Sequence, residues 1–197
     1  MTYLGKDIKK LGFGLMRLPV KDKNDASSID IEELKRMVDH FISHGFTYFD
    51  TAWMYCKFQS ENATKAALVD RYPRESYTLA TKLHCAYAKT KEERDNLFAE
   101  QFRKTGVEYF DYYLIHDIEK EHYDKYNEID AFNWIQEKKA EGLVKHVGFS
   151  FHDTDIHRMI LYTSIQCIRL DTSHSGAIQL QCIVEAIIHL PLCTKPL

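Results

Sequence analysis

The sequence predicts an α/β fold of the (β/α)8 TIM-barrel type, present in incomplete form. The first observation is a repeat: five polar side chains end short apolar runs at steps of 33, 32, 34 and 34 residues, namely Arg17, Asp50, Lys82, His116 and Ser150. A strand with its loops and helix needs about 30 residues or more, so each step holds one strand–helix unit. The second observation is that every unit carries its polar residue at the same end. Barrel strands converge on one site in this way, at their C-terminal ends.

Five apolar segments predict the strands of this fold. Their bounds are residues 12–19, 46–50, 77–82, 109–116 and 144–150. Proline cannot continue a central ladder, so Pro19 ends the first of them.

Four segments with apolar residues at helical spacing alternate with the strands. They cover residues 31–42, 60–70, 90–104 and 131–140. Ser28 or Asp30 would cap the first helix, and Gly45, Gly106 and Gly142 follow the ends of the first, third and fourth. The alternation predicts a parallel sheet that is covered by helices on its outer side.

An open doubly wound sheet is the main alternative to a barrel. That fold usually has a Gly-rich phosphate-binding loop after its first strand. Here Gly12 and Gly14 lie within the first strand, and a third glycine is lacking. The barrel is therefore favoured.

The repeat ends before the chain does. Residues 1–162 predict the N-terminal part of a (β/α) barrel, and residues 163–197 are interpreted as an irregular or degraded tail with a sixth strand near 177–183. A complete barrel needs roughly 250 residues. Because this chain has 197, about five to six of the eight units fit. The charged run 118–130 is interpreted as a solvated loop.

Composition excludes several classes of function. The net charge of −3 gives no reason to expect a nucleic acid or an anionic membrane as partner. No apolar run reaches the length of a membrane span, and the N-terminus lacks a signal-peptide core, so a cytoplasmic location is expected. The five cysteines form no CxxC pair and are interpreted as free thiols. The ten histidines form no HxH or HExxH motif, so no metal site is expected.

Four residues near the strand ends form a set suited to proton transfer. A phenol has a pKa of about 10 and is a poor acid at neutral pH. The ammonium group of Lys82 is expected to lower the pKa of Tyr55 by favouring the phenolate, and Asp50 is expected to hold Lys82. His116 would bind the substrate oxygen or help to move the proton, a contribution of about 10²–10⁴-fold to the rate.

The sequence resembles the aldo-keto reductase family, and it is most similar to bacterial members with an extra C-terminal iron–sulfur segment. The resemblance covers roughly residues 6–153 and rests on separate motifs in the right order. These are Gly12-Phe-Gly-Leu-Met-Arg-Leu-Pro, Phe49-Asp-Thr-Ala-Trp-Met-Tyr55, Ser60-Glu61, Ala80-Thr-Lys82, Asp111-Tyr-Tyr-Leu-Ile-His116 and Gly148-Phe-Ser150-Phe-His-Asp.

The resemblance implies an oxidoreductase that acts on a carbonyl substrate while NADPH delivers a hydride. It assigns catalytic roles to four residues: Asp50, Tyr55, Lys82 and His116. It assigns contacts with the nicotinamide carboxamide to Ser150 and, through a looser match, to Gln179. The family's phosphate contacts come mostly from loops after strands seven and eight, which this sequence lacks. It also lacks the cysteines for an iron–sulfur cluster, so no cluster is expected.

Three hypotheses about function stay open at this point. The chain is a working NADPH-dependent carbonyl reductase, a truncated and inactive relative, or a half-barrel that binds a partner chain without catalysis. A barrel of five or six strands leaves two open edges, which favour self-association. The other histidines, His84, His146 and His152, are interpreted as structural or surface residues.

Overall fold

In the computed structural model of this chain, seven strands of the described residues form a single sheet. Their bounds are Gly12–Gly14 (β1), Tyr48–Asp50 (β2), Thr78–Leu83 (β3), Phe110–Ile115 (β4), Val144–Phe151 (β5), Ile168–Asp171 (β6) and Leu180–Val184 (β7). The order across the sheet is β1-β2-β3-β4-β5-β7-β6. The structure describes Lys9 and residues 11–151, 168–171 and 180–184.

Strands β1 to β5 are parallel and neighbours in sequence order, which confirms the predicted repeat of strand–helix units. Asp50 lies opposite Ala80 in the register, and Lys82 lies opposite Leu114. The C-terminal ends of the five strands therefore meet at one edge of the sheet. The first strand ends at Gly14, before the predicted end at residue 19.

In the described part of the chain, six α-helices accompany these strands. Their bounds are Ile31–Ser43 (α1), Tyr55–Phe58 (α2), Ser60–Thr64 (α3), Lys91–Thr105 (α4), Lys120–Glu128 (α5) and Ala131–Ala140 (α6). Short 3-10 turns span Arg74–Ser76 and Cys85–Tyr87. Within the described part of the chain, no helix is both long and apolar enough to cross a membrane.

Capping side chains begin two of the helices, one of them predicted from the sequence. Of the two candidates for α1, Asp30 is the cap, because its Oδ1 accepts a hydrogen bond from the Glu33 amide at 3.1 Å. Thr90 caps α4 in the same way through the Glu93 amide. Each bond satisfies one of the amide groups that a helix N-terminus leaves without a partner. Gly106 follows α4 with a φ of 72°, a left-handed conformation that glycine adopts without steric strain.

One predicted helix differs in detail, and one local prediction was wrong. The second predicted helix is split, because α3 passes into a π-helical turn at Lys65–Val69. The run 118–130 is not a solvated loop, since it contains α5 and buries Ile118, Tyr126 and Ile129. Because this segment is rich in charged residues, its buried apolar residues were not recognised from the sequence.

The strands beyond β5 run in the other direction. Strand β7 pairs antiparallel with β5, and β6 pairs antiparallel with β7. Strand β7 overlaps the segment predicted as a sixth strand, but a further unit of a barrel would have placed a parallel strand next to β5. Strand β6 lies where the sequence shows no regular pattern. The division of the chain at residue 162 stays a prediction.

Side chains on β2 to β4 alternate between the two faces of the sheet, as the period of two requires. Phe49, Leu79 and Tyr113 belong to the large apolar core that the sheet shares with the helices. Their neighbours Ala80 and Tyr112 belong to a second, small apolar cluster that includes Leu114. We call the face that carries this second cluster the inner face.

A buried polar cluster supports β3 on the helix side of the sheet. Glu61 is fully buried, and its Oε2 lies 3.0 Å from the ammonium group of Lys104. Its Oε1 accepts hydrogen bonds from Thr81 and Gln101, each at 2.8 Å. Gln101 also donates to the carbonyl oxygen of Lys82 at 3.1 Å. The cluster therefore ties α3 and α4 to the strand that carries Lys82.

We expect the substitution Lys104→Met to lower the free energy of unfolding by about 3–5 kcal/mol, because it leaves the buried Glu61 carboxylate without its cation. Urea unfolding followed by circular dichroism would measure the change. The neighbouring substitution Arg103→Met is the matched control, since Arg103 pairs with Glu100 on the surface and should be nearly neutral. Equal effects of the two substitutions would contradict the importance of the buried pair.

Candidate active site

The inner face brings the predicted site residues together at the C-terminal edge of the sheet. Four of them lie two residues beyond another inner-face residue of the same strand, as Lys82 does beyond Ala80. Asp50, Lys82 and Ser150 are the last or nearly the last residues of β2, β3 and β5, and His116 follows β4 directly. A period-two pattern thus aims four side chains at one place. Arg17 does not join them, since it is exposed and β1 ends before it.

The ammonium group of Lys82 is the centre of this site. The side chain is only 1% exposed, and its Nζ lies 2.5 Å from Asp50 Oδ1. The Nζ also donates to the carbonyl oxygen of Thr51 at 2.7 Å and to the phenol oxygen of Tyr55 at 3.4 Å. The geometry therefore matches the predicted chain of contacts from Asp50 through Lys82 to Tyr55.

The pKa of Lys82 reflects a balance of burial and charge. Burial alone would lower its pKa, but the Asp50 carboxylate, the Tyr55 oxygen and their hydrogen bonds outweigh that effect and raise it. Lys82 is therefore a stable cation at neutral pH, although it lies out of contact with water.

The expectation for the pKa of Tyr55 was wrong in sign. Burial raises its pKa and outweighs the ammonium group of Lys82, which lowers it, while the Asp50 carboxylate adds to the rise. Tyr55 consequently keeps its proton throughout the neutral range.

Tyr55 is held by an unusual turn of the backbone. Helix α2 contains Cys56 and Lys57 at φ of 51°, and Phe58 follows at 68°. Three successive left-handed residues other than glycine are strained by about 1–2 kcal/mol each. Cys56 is anchored within this turn, because its thiol lies 3.5 Å from the carbonyl oxygen of Met16. Such strain tends to accumulate at functional sites.

His116 faces Tyr55 across the site, with their ring centroids 6.0 Å apart. Its amide donates to the carbonyl oxygen of Leu83 at 2.8 Å. The buried Tyr126 hydroxyl lies within hydrogen-bonding distance of the carbonyl oxygens of His116 and Leu83. Tyr126 belongs to α5, the helix that the sequence analysis took for a loop, so its role as a support for His116 was missed.

A cavity of about 380 Å³ opens onto these groups. It is lined by Met16, Met54, Tyr55, Cys56, His84, His116 and Asp117. The cavity combines an apolar wall of two methionines and a thiol with polar groups at one end. This composition suits a small organic ligand.

Ser150 is the residue that the family resemblance assigns to a contact with the nicotinamide carboxamide. It is buried at the end of β5, and its Oγ accepts the Asp117 amide at 2.8 Å. The hydroxyl can still donate its own proton to a carbonyl oxygen. Gln179, the second residue predicted for this contact, lies outside the described residues.

With this geometry in place, comparison with known proteins identifies the family. The sequence profile of the Aldo/keto reductase family matches residues 10–175, more than half of the chain. The chain belongs to the aldo/keto reductase family. An uncharacterised oxidoreductase of Schizosaccharomyces pombe is 30% identical to it over 156 residues, which are 73% of this chain and 47% of that protein.

Solved structures of other aldo-keto reductases show the same fold. The holo form from Bacillus halodurans superposes with a TM-score of 0.61 at 23% identity, covering 78% of this chain and 50% of that one. The Klebsiella pneumoniae protein in complex with NADPH gives 0.59 at 21% identity, with 80% and 50% covered. The chain thus spans about half the length of these relatives. The likeness confirms an α/β fold of the (β/α)8 barrel type, present in part.

Two polar residues of this family member were missed by the sequence analysis. His84 was interpreted as structural or surface, yet it lines the cavity, with its ring centroid 5.3 Å from that of His116. Asp117 was given no role, although it directly follows His116. The signal that could have found them is their position, since both lie just beyond the C-terminal ends of parallel strands.

We expect Lys57→Gly to raise the free energy of unfolding by about 1 kcal/mol, because glycine relieves the left-handed strain beside Tyr55. The substitution also removes an exposed ion pair with Asp25, which contributes little. Gln59→Gly is the control: Gln59 has a φ of −101°, so glycine there should lower stability. If both substitutions lowered stability alike, the turn would not be strained.

Proposed function

We propose that this chain is an NADPH-dependent oxidoreductase that reduces a carbonyl substrate to an alcohol. The observation that carries the proposal is the buried contact of Lys82 with both Asp50 and Tyr55. A surface lysine would be free of such partners, and a purely structural ion pair would not include a phenol at a cavity wall. Membership of the aldo/keto reductase family supports the same activity.

Tyr55 would act as the general acid in this reaction. Its hydroxyl lies at the cavity wall and holds its proton at neutral pH. When the proton passes to the carbonyl oxygen, a phenolate is left 3.4 Å from the Lys82 ammonium group. The ammonium group stabilises that negative charge, and Asp50 keeps Lys82 in place. The acid is therefore weak at rest and strengthened as the charge develops.

His116 would bind the carbonyl oxygen and orient the substrate toward Tyr55. Both residues line the same cavity, with their ring centroids 6.0 Å apart, so one carbonyl oxygen could contact both side chains. NADPH, when bound, supplies the hydride that reduces the carbonyl carbon. Ser150 would hold the carboxamide of its nicotinamide ring, together with Gln179. Relatives in complex with NADPH or NADP support this choice of cofactor.

The first test is a fluorescence titration of the purified chain with NADPH, with NADH beside it, followed by assays with small aldehydes. Micromolar binding of NADPH together with oxidation of NADPH by aldehydes would support the proposal. A folded chain that binds neither nucleotide would contradict it. That result would favour the alternative of an inactive relative or a half-barrel that only binds a partner.

The substitution Tyr55→Phe should lower the rate of carbonyl reduction by about 10²–10⁴-fold, because it removes the proton donor. The affinity for NADPH should stay nearly unchanged. Steady-state assays and the same fluorescence titration would measure the two effects. Tyr87→Phe is the matched control, since Tyr87 lies nearby but outside the cavity lining. Wild-type rates in Tyr55→Phe would overturn the assignment of the acid.

The rate of reduction should show no loss from the titration of Tyr55 between pH 6 and 9. Its pKa is raised above the ordinary value of 10, so the phenol is protonated below that pH and is lost as an acid only above it. A profile of kcat/KM from pH 6 to 11 would locate the pH at which activity falls because Tyr55 loses its proton. A fall in activity near pH 7 that is absent in Tyr55→Phe would show instead that Lys82 lowers the pKa of Tyr55.

A further inference from the structure

The carboxylate of Asp117 is a polar group of the cavity that the proposed reaction does not use. Asp117 lines the cavity beside Tyr55 and His116. Its Oδ1 is buried and accepts no hydrogen bond from the residues that the structure describes. Buried carboxylate oxygens are normally hydrogen-bonded, so an oxygen of this kind at a cavity wall indicates a donor on the ligand.

The backbone is arranged to place this carboxylate. Asp117 has a φ of 58°, a left-handed conformation that is strained for most residues other than glycine. Its amide donates to Ser150 Oγ, and the Ile118 amide donates to the carbonyl oxygen of Ser150, each at 2.8 Å. Two bonds to β5 therefore fix a conformation that the chain would otherwise avoid.

Two imidazole rings face the other oxygen of Asp117. His84 Nε2 lies 3.9 Å from Oδ2, and His122 Nδ1 lies 3.7 Å from it. His84 Nδ1 accepts the Ala86 amide at 3.1 Å, so the proton of the neutral ring is on Nε2. His122 Nδ1 lies 2.8 Å from the carbonyl oxygen of Asp117, which can only accept, so this nitrogen also carries a proton. The His84 N–H thus lies on the side of Oδ2, whereas the His122 N–H donates to the carbonyl oxygen of Asp117.

These protons argue against a metal ion at the same place. His84, Asp117 and His122 each offer a ligand atom within 4.8 Å of the others, a spacing that a metal ion could bridge. A metal ligand must offer a lone pair, whereas in each ring the nitrogen nearest Asp117 Oδ2 carries a proton. The hydrogen bonds of His84 and His122 would have to be broken first. A hydrogen-bonding site for an organic group fits the observed contacts better.

We propose that Asp117 and His84 form a subsite for a hydroxyl group of the substrate, which makes hydroxylated carbonyl compounds the preferred substrate class. This inference rests on the proposed carbonyl reduction. A hydroxyl group can donate to Asp117 Oδ1 and accept from His84 Nε2. An ammonium group can only donate, so it would oppose the His84 N–H. The apolar wall of Met16, Met54 and Cys56 would cover the carbon chain.

The test uses pairs of aldehydes in which a hydroxyl replaces a methyl group: glycolaldehyde against propanal, and 3-hydroxypropanal against butanal. The wild-type chain should prefer the hydroxylated member of at least one pair by about 10- to 100-fold in kcat/KM, the value of a hydrogen bond to a charged group. Asp117→Gly should abolish the preference. Glycine keeps the left-handed backbone, so the variant should fold, which circular dichroism would verify.

Asp130→Gly is the matched control, because Asp130 is also an aspartate in the left-handed region, with a φ of 54°, and lies outside the cavity lining. This control should keep the wild-type preference. Equal kcat/KM values within both aldehyde pairs in the wild type, or a preference that persists in Asp117→Gly, would overturn the subsite while leaving carbonyl reduction intact.

A binding measurement separates the subsite from the reaction. Saturation-transfer NMR would compare ethane-1,2-diol with propan-1-ol, which are the products of the first aldehyde pair. In one outcome, no aldehyde is reduced, the wild type binds ethane-1,2-diol more strongly than propan-1-ol, and Asp117→Gly shows no such difference. The proposed function then fails and the subsite stands. Signals that show no difference between the two alcohols, or between the wild type and Asp117→Gly, overturn the subsite whether or not reduction occurs.

Discussion

The burial of one ammonium group, that of Lys82, is the constraint on which the site depends. A lysine that is 1% exposed loses its hydration, and only close, well-placed acceptors make its charge tolerable. Asp50 and the Thr51 carbonyl provide them from the end of β2, and Tyr55 follows on the next turn. The register between β2 and β3 is therefore fixed by charge as well as by apolar packing, because a slip by one residue would move Lys82 to the opposite face.

The same strand is supported from its other face. Thr81, the neighbour of Lys82, points toward the helices and binds the buried Glu61, while Gln101 reaches the carbonyl oxygen of Lys82. Two adjacent residues of β3 thus serve different clusters: Lys82 carries the positive charge on the inner face, and Thr81 binds the negative charge of Glu61 on the helix side. Lys82 is paired with Asp50, and Glu61 is paired with Lys104. The two clusters therefore hold β3 between α4 and the cavity without sharing a hydrogen-bonding group.

Strain is concentrated where the chain meets the cavity. Of the five residues other than glycine with a positive φ in the described part of the chain, Cys56 and Asp117 line the cavity, and Lys57 and Phe58 adjoin it. The packed sheet beneath has no such residue. A rigid scaffold of parallel strands therefore carries short, strained segments that aim the proposed proton donor on one side and a carboxylate on the other.

The sequence by itself determined the repeat, the alternation of strands and helices, and the set Asp50, Lys82 and His116, because period-two patterns and strand-end spacing are local properties of the chain. It also narrowed the cap of α1 to Ser28 or Asp30, because a cap acts within one helical turn. Only the tertiary structure decided the sign of the pKa change at Tyr55, since burial by distant segments outweighs one neighbouring charge. It also decided the cavity positions of His84 and Asp117, because adjacency between the ends of β3 and β4 arises only when the sheet has formed.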